Sequence, residues 1–266
     1  MGKPMIVEFI GTPGAGKTTF MPVVSEHFRK HHFQPYSVLE AARPFAARTF
    51  PGKMVQKLPY GRLRRFLLWQ IFYMNSYTQR SKFAGQNQDL MQSVLTYQHQ
   101  RPITESDKDH VLRWFLHLTG SYQFLKSRAQ AGEMLLFDEG FVHRVVQLFA
   151  SENEKPDLDG VAHYLDMIPK PDLIIFPSAS REVCEKRVFQ RGVWERFRTK
   201  GNEETSRFIR NAYKIVKYAV KHLKIMGWTV IEVDNNQDNL AEAKRMLESI
   251  LSDLVIFVPE TAGLTR

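Results

Sequence analysis

Short apolar runs alternate with longer amphipathic stretches along most of the chain. Runs of five or six residues, bounded by Gly, Pro, Asp or Asn, predict β-strands at 5–10, 36–40, 134–138, 172–176 and 228–233. Stretches with helical periodicity begin at Lys17 and cover roughly 106–130, 180–191, 203–226 and 238–254. This alternation is typical of βα units. It predicts an α/β fold with a five-stranded parallel sheet.

The second and third predicted strands lie far apart in the sequence. More than ninety residues separate them, and a single crossover needs far fewer. We therefore predict that residues 41–105 form an inserted helical cap within a single domain that spans residues 1–266.

The positive charge of the chain is concentrated in its first third. The formal net charge is +9. Residues 1–83 contain 13 Lys and Arg against 3 Asp and Glu, whereas residues 84–266 contain 24 against 25. After Glu40 no acidic residue occurs up to Phe83, and this stretch contains nine cations: Arg43, Arg48, Lys53, Lys57, Arg62, Arg64, Arg65, Arg80 and Lys82. Such a concentration indicates an anionic partner.

The segment 58–83 combines this charge with closely spaced aromatic and aliphatic residues. A helix that is apolar on most sides is usually packed in a core, which is one interpretation. The stretch 41–83 could instead lie on an anionic membrane surface, or it could cover a substrate site, with Arg43, Arg48 or Arg62 binding an anionic acceptor. No nucleic-acid-binding motif is apparent, and the sequence leaves a homodimer open.

The chain has one cysteine and no segment typical of a membrane anchor. Cys184 excludes an internal disulfide bond, and its solitary occurrence is typical of a reducing compartment. No stretch reaches the roughly 18 apolar residues of a membrane span, and the first apolar run leads into glycines rather than a cleavage site. We expect a cytoplasmic protein, with peripheral membrane association left open. The histidines show no metal-ligand spacing, so none is assigned a ligand role.

Residues 11–18, GTPGAGKT, match the phosphate-binding pattern G-x-x-x-x-G-K-[ST] in full, with a predicted strand before it and a predicted helix after it. Glycines allow successive backbone N–H groups to point at phosphate oxygens, and the helix N-terminus adds partial positive charge. We expect catalytic Lys17 to contact the β- and γ-phosphates of a nucleotide and Thr18 to bind Mg²⁺. The predicted nucleotide-binding residues of this loop are Gly11, Pro13, Gly14, Ala15, Gly16, Lys17, Thr18 and Thr19.

The third predicted strand ends in two carboxylates, Asp138 and Glu139. In a parallel sheet the C-terminal ends of neighbouring strands meet at the ligand crevice. Asp138 is therefore the second predicted ligand of Mg²⁺ and a catalytic group, and Glu139 is a predicted substrate contact.

A basic segment at 187–204 bears on the type of reaction. It contains Arg187, Arg191, Arg196, Arg198 and Lys200, together with Gly192 and Gly201 as candidate hinges. A mobile arginine-rich lid is what a phosphotransferase requires to neutralise the transferred charge and exclude water. We predict that Arg187 and Arg191 contact the nucleotide. Arg191 and Arg196 are predicted to act in catalysis, and Arg198 to contact the substrate. No N-K-x-D motif for guanine recognition is present, which argues against a GTPase.

Together with the phosphate loop and the strand-end carboxylate, the segment PDLIIFPSASREVCEKRVFQRG resembles the thymidylate kinase and deoxynucleoside kinase superfamily. Members have the pattern E-x-x-x-x-R-x-x-x-R-G where a helix enters the lid, and Glu182, Arg187, Arg191 and Gly192 match it. The resemblance covers the core strands and helices but is thin across 41–130. It implies a three-layer P-loop NTPase fold, ATP and Mg²⁺ as cofactors, and a small-molecule phosphate acceptor.

The resemblance also implies a role for Glu40. Members of the superfamily carry a glutamate where the second strand ends, usually followed by Pro, and in deoxynucleoside kinases this group resembles a general base. By this resemblance Glu40 would orient or deprotonate the acceptor, although Ala41 stands in place of Pro. Arg43, in the basic stretch that follows, is a predicted substrate contact. The alternative is that Glu40 caps a helix or pairs locally with Arg43.

One departure from the superfamily concerns the third strand. Its members usually have an arginine beside the acidic residue, as in D-R-Y or E-R-S, whereas this chain has Asp138-Glu139-Gly140. Arg144, one turn further on, is a candidate replacement as a substrate contact. We predict an ATP-dependent kinase that acts on a nucleoside or nucleoside monophosphate. Two alternatives stay open: a kinase for a sugar, glycan or lipid-linked hydroxyl, and a nucleotide-dependent binding protein on a membrane or nucleic acid.

Overall fold

Five parallel strands form the central sheet of the protein. The computed structural model describes residues 3–194, 197–198, 200–236 and 240–254. The strands are β1 (Met5–Phe9), β2 (Gln34–Ser37), β3 (Glu133–Phe137), β4 (Leu173–Ser178) and β5 (Val230–Asp234). Their order in the sheet is β2-β3-β1-β4-β5, and every neighbouring pair is parallel. The strand that leads into the phosphate loop, β1, therefore lies at the centre of the sheet.

Eleven α-helices connect and cover the strands within the part of the chain that the structure describes. They are α1 (Lys17–Lys30), α2 (Val38–Ala47), α3 (Phe50–Val55), α4 (Arg62–Gln86), α5 (Gln88–Gln100), α6 (Glu105–Arg128), α7 (Arg144–Phe149), α8 (Leu158–Met167), α9 (Arg181–Arg191), α10 (Asn202–Ile225) and α11 (Leu240–Leu254). The region between the second and third strands is helical, since α2 to α6 fill it.

Helices cover both faces of the sheet, and each face has its own apolar core. Successive strand residues point to opposite faces. Val7 and Leu136 pack against α1 and α11, whereas their neighbours Ile6 and Leu135 pack into a larger core with the remaining helices. The predicted α/β architecture with a five-stranded parallel sheet is confirmed.

One face of α4 joins the larger core and the other does not. Leu68, Phe72 and Phe83 are buried, and the Phe83 ring stacks on Phe141 with 5.2 Å between centroids. α4 packs along α6 and against α2. The predicted core packing of segment 58–83 is thus confirmed for one side of the helix only. Among the described residues, no helix is both long and apolar enough to cross a membrane.

The second strand is shorter than the sequence predicts. The run at 36–40 predicts a strand up to Glu40, but β2 ends at Ser37 and α2 begins at Val38. Ser37 Oγ accepts a hydrogen bond from the Glu40 backbone N–H at 3.3 Å, and the Glu40 carboxylate accepts one from the Ser37 N–H at 2.9 Å. This capping box stabilises the start of a helix. The other predicted strands, and the predicted helices from 106 onward, agree with the structure to within two residues at each end, whereas α7 and α8 were not predicted.

Candidate active site

The loop between β1 and α1 turns tightly, and two of its glycines are required by its shape. Gly14 has a φ of +87° and Gly16 a φ of +101°, in the left-handed region that favours glycine. A Cβ on Gly14 would lie 2.3 Å from the Cys184 carbonyl oxygen, and one on Gly16 would lie 2.5 Å from Asn235 Nδ2. Asn235 Nδ2 also donates to the Ala15 carbonyl at 2.8 Å. Residues of α9 and of the loop after β5 therefore fix the phosphate loop from outside.

The N-terminus of α1 offers free backbone N–H groups to a ligand. The helix begins at Lys17, and no side chain caps it. Such an N-terminus, with its unsatisfied N–H groups and its dipole, is a binding site for anions. Lys17 Nζ donates to the Gly11 carbonyl at 3.3 Å. Burial lowers the pKa of Lys17 to about 8, although the carboxylates of Glu139 and Asp138 oppose this effect. An incoming phosphate would stabilise the charged form of this side chain.

A cavity of about 1000 Å³ extends from the phosphate loop to α6 and α10. Its nucleotide half is lined by Pro13, Gly14, Gly16, Lys17, Thr18, Thr19, Arg187, Arg191, Asn235 and Leu240. Its second half, which we call the aromatic chamber, is lined by His110, Val111, Trp114, His143, Val146, Gln147, Trp194, Phe197 and Phe208. Asp138 and Glu139 also line the cavity. One continuous space thus contains the phosphate loop, two carboxylates and an apolar chamber.

The end of β3 places both carboxylates at the same edge of the sheet as the phosphate loop. β3 pairs in parallel with β1, with Phe137 opposite Glu8. Asp138, the next residue of β3's chain, therefore lies beside the C-terminal end of β1, from which the phosphate loop begins. Asp138 and Thr18 both line the cavity. Mg²⁺ at nucleotide sites is typically held by one or two protein oxygens together with phosphate oxygens and water, so this pair fits the ion. Within the described residues, no cluster of three or more His, Cys, Asp or Glu could hold a metal ion alone.

α9 carries two arginines of the predicted lid to the cavity. Arg187 and Arg191 are four residues apart on one face of the helix, and both line the cavity. Arg187 Nη1 is buried without a hydrogen-bond partner among the described residues, which is costly unless a ligand supplies an acceptor. The Arg191 guanidinium lies 5.5 Å from the centroid of the Trp194 ring. Arg196 lies outside the described residues, and Arg198 is exposed and absent from the described lining.

Aromatic side chains dominate the chamber on the far side of the cavity. Trp194, Phe197 and Phe208 form a cluster with centroid distances of 5.8, 5.9 and 4.9 Å. The rings of His110 and Trp114, one turn apart on α6, lie 6.0 Å from each other. Sequence reasoning missed these residues. The spacing of His110 and Trp114 was the one available signal, and by itself it does not distinguish a cavity wall from a core.

His143 contributes a neutral polar group to the aromatic chamber. Its side chain is buried, and Nδ1 has no hydrogen-bond partner among the described residues. Burial, with the nearby charges of Lys17 and Arg144, holds the pKa of His143 well below its usual value. A neutral imidazole offers a ligand one donor and one acceptor.

Glu139 is held by two side chains of α7. Gln147 Nε2 donates to Glu139 Oε2 at 3.1 Å, and Arg144 Nη1 lies 3.8 Å from the same oxygen. The buried Arg144 guanidinium also lies 5.9 Å from the centroid of the Trp114 ring. Arg144 is absent from the described lining. The structure therefore places it behind the cavity wall, where it supports Glu139 and Trp114, rather than in the wall as a substrate contact.

The structure does not bring Glu40 or Arg43 to the cavity. Glu40 lies in the first turn of α2, and the hydrogen bond from the Ser37 N–H lowers the pKa of Glu40 below its usual value. No residue of 41–105, all of which the structure describes, lines the cavity. The prediction that the second strand ends at Glu40 is wrong, because α2 begins at Val38. The alternative of a local helix cap is confirmed.

Similarity to known proteins is limited. No protein-family model matches the chain, and no curated protein sequence matches it significantly. Among solved structures, one that is similar is a deoxyadenosine kinase from M. mycoides with bound dCTP. It shares 13% sequence identity with this chain at a TM-score of 0.41, and the alignment covers 94% of this chain and 100% of that one. The parallel sheet, the helices on both its faces and the phosphate loop after β1 make this an α/β P-loop NTPase fold.

Proposed function

We propose that the protein is a Mg²⁺-dependent kinase that transfers the γ-phosphoryl group of ATP to a hydroxyl of a small uncharged acceptor, in the first place a nucleoside. The observation that carries this proposal is the continuous cavity that joins a phosphate loop to the aromatic chamber, with Asp138 and Glu139 in its lining. Phosphoryl transfer requires a donor and an acceptor side by side, whereas a nucleotide-dependent switch needs no second chamber.

The nucleotide half supplies the groups that hold ATP. In this proposal Lys17 contacts the β- and γ-phosphates, which the backbone N–H groups of the loop surround. Arg187 and Arg191 reach the same phosphates from α9, and a phosphate would supply an acceptor to Arg187 Nη1, which has no hydrogen-bond partner among the described residues. Thr18 and Asp138 would hold Mg²⁺, which supplies positive charge against the transferred oxygens.

Glu139 is the group that we propose receives the proton of the acceptor hydroxyl. It lines the cavity beside Asp138, whereas Glu40 does not. The hydrogen bond from Gln147 orients its carboxylate. A carboxylate within hydrogen-bond reach of an attacking hydroxyl can take its proton as the new bond to phosphorus forms. The role that the resemblance implied for Glu40 therefore passes to Glu139.

The chemistry of the aromatic chamber favours an uncharged acceptor. The described lining residues on α6, α7 and α10 include no Lys or Arg, and burial keeps His143 neutral. Glu139 occupies the position where similar kinases usually carry an arginine, and its negative charge would repel a monophosphate. Trp114 and Trp194 offer faces for packing against a planar base. A nucleoside fits these features better than a nucleoside monophosphate.

The test is ATP-dependent phosphorylation of a panel of nucleosides, nucleoside monophosphates and sugars, with and without Mg²⁺. We expect a nucleoside to accept phosphate, and Lys17→Ala to lower turnover on the order of a hundred-fold or more. Phosphorylation of sugars alone would show that the acceptor is a non-nucleotide hydroxyl rather than a nucleoside. A preference for monophosphates would contradict the uncharged acceptor. ATP binding without turnover on any acceptor would contradict the kinase proposal itself.

A further inference from the structure

The side of α4 that does not join the core is apolar and exposed. Leu63, Phe66, Met74 and Tyr77 are 64%, 57%, 68% and 67% exposed. At 3.6 residues per turn, their spacing places all four on one side of the helix. Large exposed apolar patches are rare on proteins without a partner. This side of α4 is therefore a candidate binding surface.

The apolar surface continues on the chain before α4. Phe50 and Tyr60 are 81% and 77% exposed, and α3, which begins at Phe50, packs against α4. The exposed side chains of 50–66 and the exposed side of α4 make up what we call the basic–aromatic face.

Cations without counter-charges accompany these apolar residues. Lys53, Lys57, Arg62 and Arg65 are exposed, and none of the four forms an ion pair with a described carboxylate. No Asp or Glu occurs between residues 41 and 88. Other basic residues of this region have internal roles, as when Arg48 pairs with Glu133. The positive charge of the basic–aromatic face is thus left for an external anion.

We propose that the basic–aromatic face docks on the surface of an anionic lipid bilayer. Surfaces that lie in a bilayer interface combine Lys and Arg, which bind anionic headgroups, with aromatic and aliphatic side chains, which reach the acyl boundary. Arg62 and Arg64 flank the apolar side of α4 that contains Leu63 and Phe66, because they lie about 100° to either side of Leu63 around the helix. The long stems of such cations can lie along apolar surface while their charged ends stay in water. The basic–aromatic face thus has both the cations and the apolar side chains of such a surface, on the adjoining helices α3 and α4.

Charge and composition argue against two other occupants. A second copy of this chain would offer its own basic–aromatic face, which has no carboxylate to meet these cations, and like charges at an interface cost affinity. Nucleic acid would satisfy the cations. It would leave the exposed aliphatic chains of Leu63 and Met74 without a partner, since protein–DNA interfaces are more polar than other interfaces.

Docking through this face leaves the candidate active site open. No residue of 41–105 lines the cavity, so a bilayer on the basic–aromatic face covers a different part of the protein. The proposal is independent of the kinase assignment, and variants of this face are expected to keep the nucleotide affinity of the unchanged protein.

The first experiment is sedimentation of the full chain with vesicles of phosphatidylcholine alone or mixed with phosphatidylserine. We expect binding to the mixed vesicles only, weakening with added salt. The variant Lys53→Gln, Lys57→Gln, Arg62→Gln should bind on the order of a hundred-fold more weakly, because each cation near an anionic surface contributes roughly five-fold. The matched control is Arg210→Gln, Lys214→Gln, Lys221→Gln, which removes the same charges from exposed positions on α10. Equal losses in the two variants would overturn the proposal.

A second pair of variants tests the apolar part without changing charge. Leu63→Ser, Phe66→Ser should weaken vesicle binding at least ten-fold. Ile225→Ser, Met246→Ser, at positions 74% and 47% exposed on α10 and α11, should leave it unchanged. Thermal unfolding of all four variants establishes that each is folded.

Three other outcomes would overturn the proposal. One is binding to neutral and anionic vesicles alike, or to neither. Another is a dimer, detected by light scattering, that becomes a monomer in the variant Leu63→Ser, Phe66→Ser. The face would then be an interface between two copies of the chain. The third is binding of a polynucleotide that is tighter than vesicle binding and is unaffected by the same two substitutions.

Discussion

Gly140 packs against the buried carboxylate of Glu8, so that a Cβ at position 140 would lie 2.4 Å from Glu8 Oε2. Glu8 is fully buried on β1 and accepts a hydrogen bond from the Val142 N–H at 2.7 Å. The space that the carboxylate occupies leaves no room for a side chain at position 140. This contact explains why the strand-end sequence Asp138-Glu139-Gly140 ends in glycine.

Gly140→Ala is therefore expected to destabilise the protein. The new methyl group must displace Glu8 or the backbone, and overpacking of this kind typically costs about 1–3 kcal/mol. Gly85→Ala is the matched control, because a Cβ at that position in α4 meets nothing within 4 Å. Alanine there should stabilise the helix by about 0.5–1 kcal/mol. Denaturant unfolding of both variants checks the prediction, and equal effects would show that the Gly140–Glu8 contact does not constrain this site.

The same glutamate predicts a pH dependence of stability. Burial raises the pKa of Glu8 from 4.5 to about 7, against the opposing effect of the Val142 and Phe141 backbone donors and Arg144. The folded protein therefore holds this proton more tightly than the unfolded chain does. The resulting stabilisation is complete below the unfolded pKa and is lost as the pH rises through the folded one, a loss of about 3 kcal/mol.

Glu8→Gln should remove this part of the pH dependence, because glutamine does not titrate. The measurement is the free energy of unfolding of both proteins at a series of pH values on either side of 7. We expect the unchanged protein to lose stability relative to the variant as the pH rises. Parallel curves would show that the carboxyl group of Glu8 does not titrate in this range.

Lys17 predicts a pH dependence of nucleotide affinity. Burial lowers its pKa to about 8 in the protein without nucleotide, and only the ammonium form binds phosphate strongly. The affinity for ATP should therefore decrease as the pH rises through 8. In Lys17→Arg, whose guanidinium stays charged, the affinity should be weaker overall but flat over the same range. Calorimetric titration of ATP checks both, and identical pH profiles would assign the effect to another group.

The capping box at Ser37 predicts an effect on stability without an effect on ATP binding. Ser37→Ala removes the acceptor of the Glu40 N–H, and loss of an N-cap costs about 1 kcal/mol. The residue lies outside the lining of the cavity, so the affinity for ATP should not change. Thermal unfolding and ATP titration of this one variant test both parts. A weaker ATP affinity would link α2 to the nucleotide site.

Local sequence signals were sufficient for the phosphate loop and for most of the sheet. The glycines at 14 and 16 have the backbone angles that the loop pattern requires, and Asp138 lies where the end of an apolar strand predicted it. These features depend on short stretches of chain whose geometry follows from a few residues. The prediction for the second strand was wrong at its C-terminal end, because the capping box formed by Ser37 and Glu40 starts a helix within an apolar run that resembles a strand.

The aromatic chamber could not be predicted because it depends on packing between distant segments. His110 lies on α6, His143 directly precedes α7 and Phe208 lies on α10. The sequence around each of these residues does not distinguish a cavity wall from a core. The role expected for Glu40 rested on a resemblance to a kinase superfamily, and the structure places this residue in the first turn of α2 instead of at a strand end. The capping box at the start of α2 places Glu40 in a helix, whereas the end of β3 leads directly into Glu139 in the cavity lining.

In the proposed reaction Glu139, and not Glu40, acts on the acceptor. The most direct measurement is kcat for the phosphorylated acceptor in Glu139→Gln and Glu40→Gln, two identical chemical changes at a cavity position and at a helix cap. We predict that Glu139→Gln lowers kcat by roughly 10²–10⁴-fold, the usual contribution of a general base, while Glu40→Gln leaves kcat unchanged. A loss of kcat in Glu40→Gln, with turnover preserved in Glu139→Gln, would contradict the account.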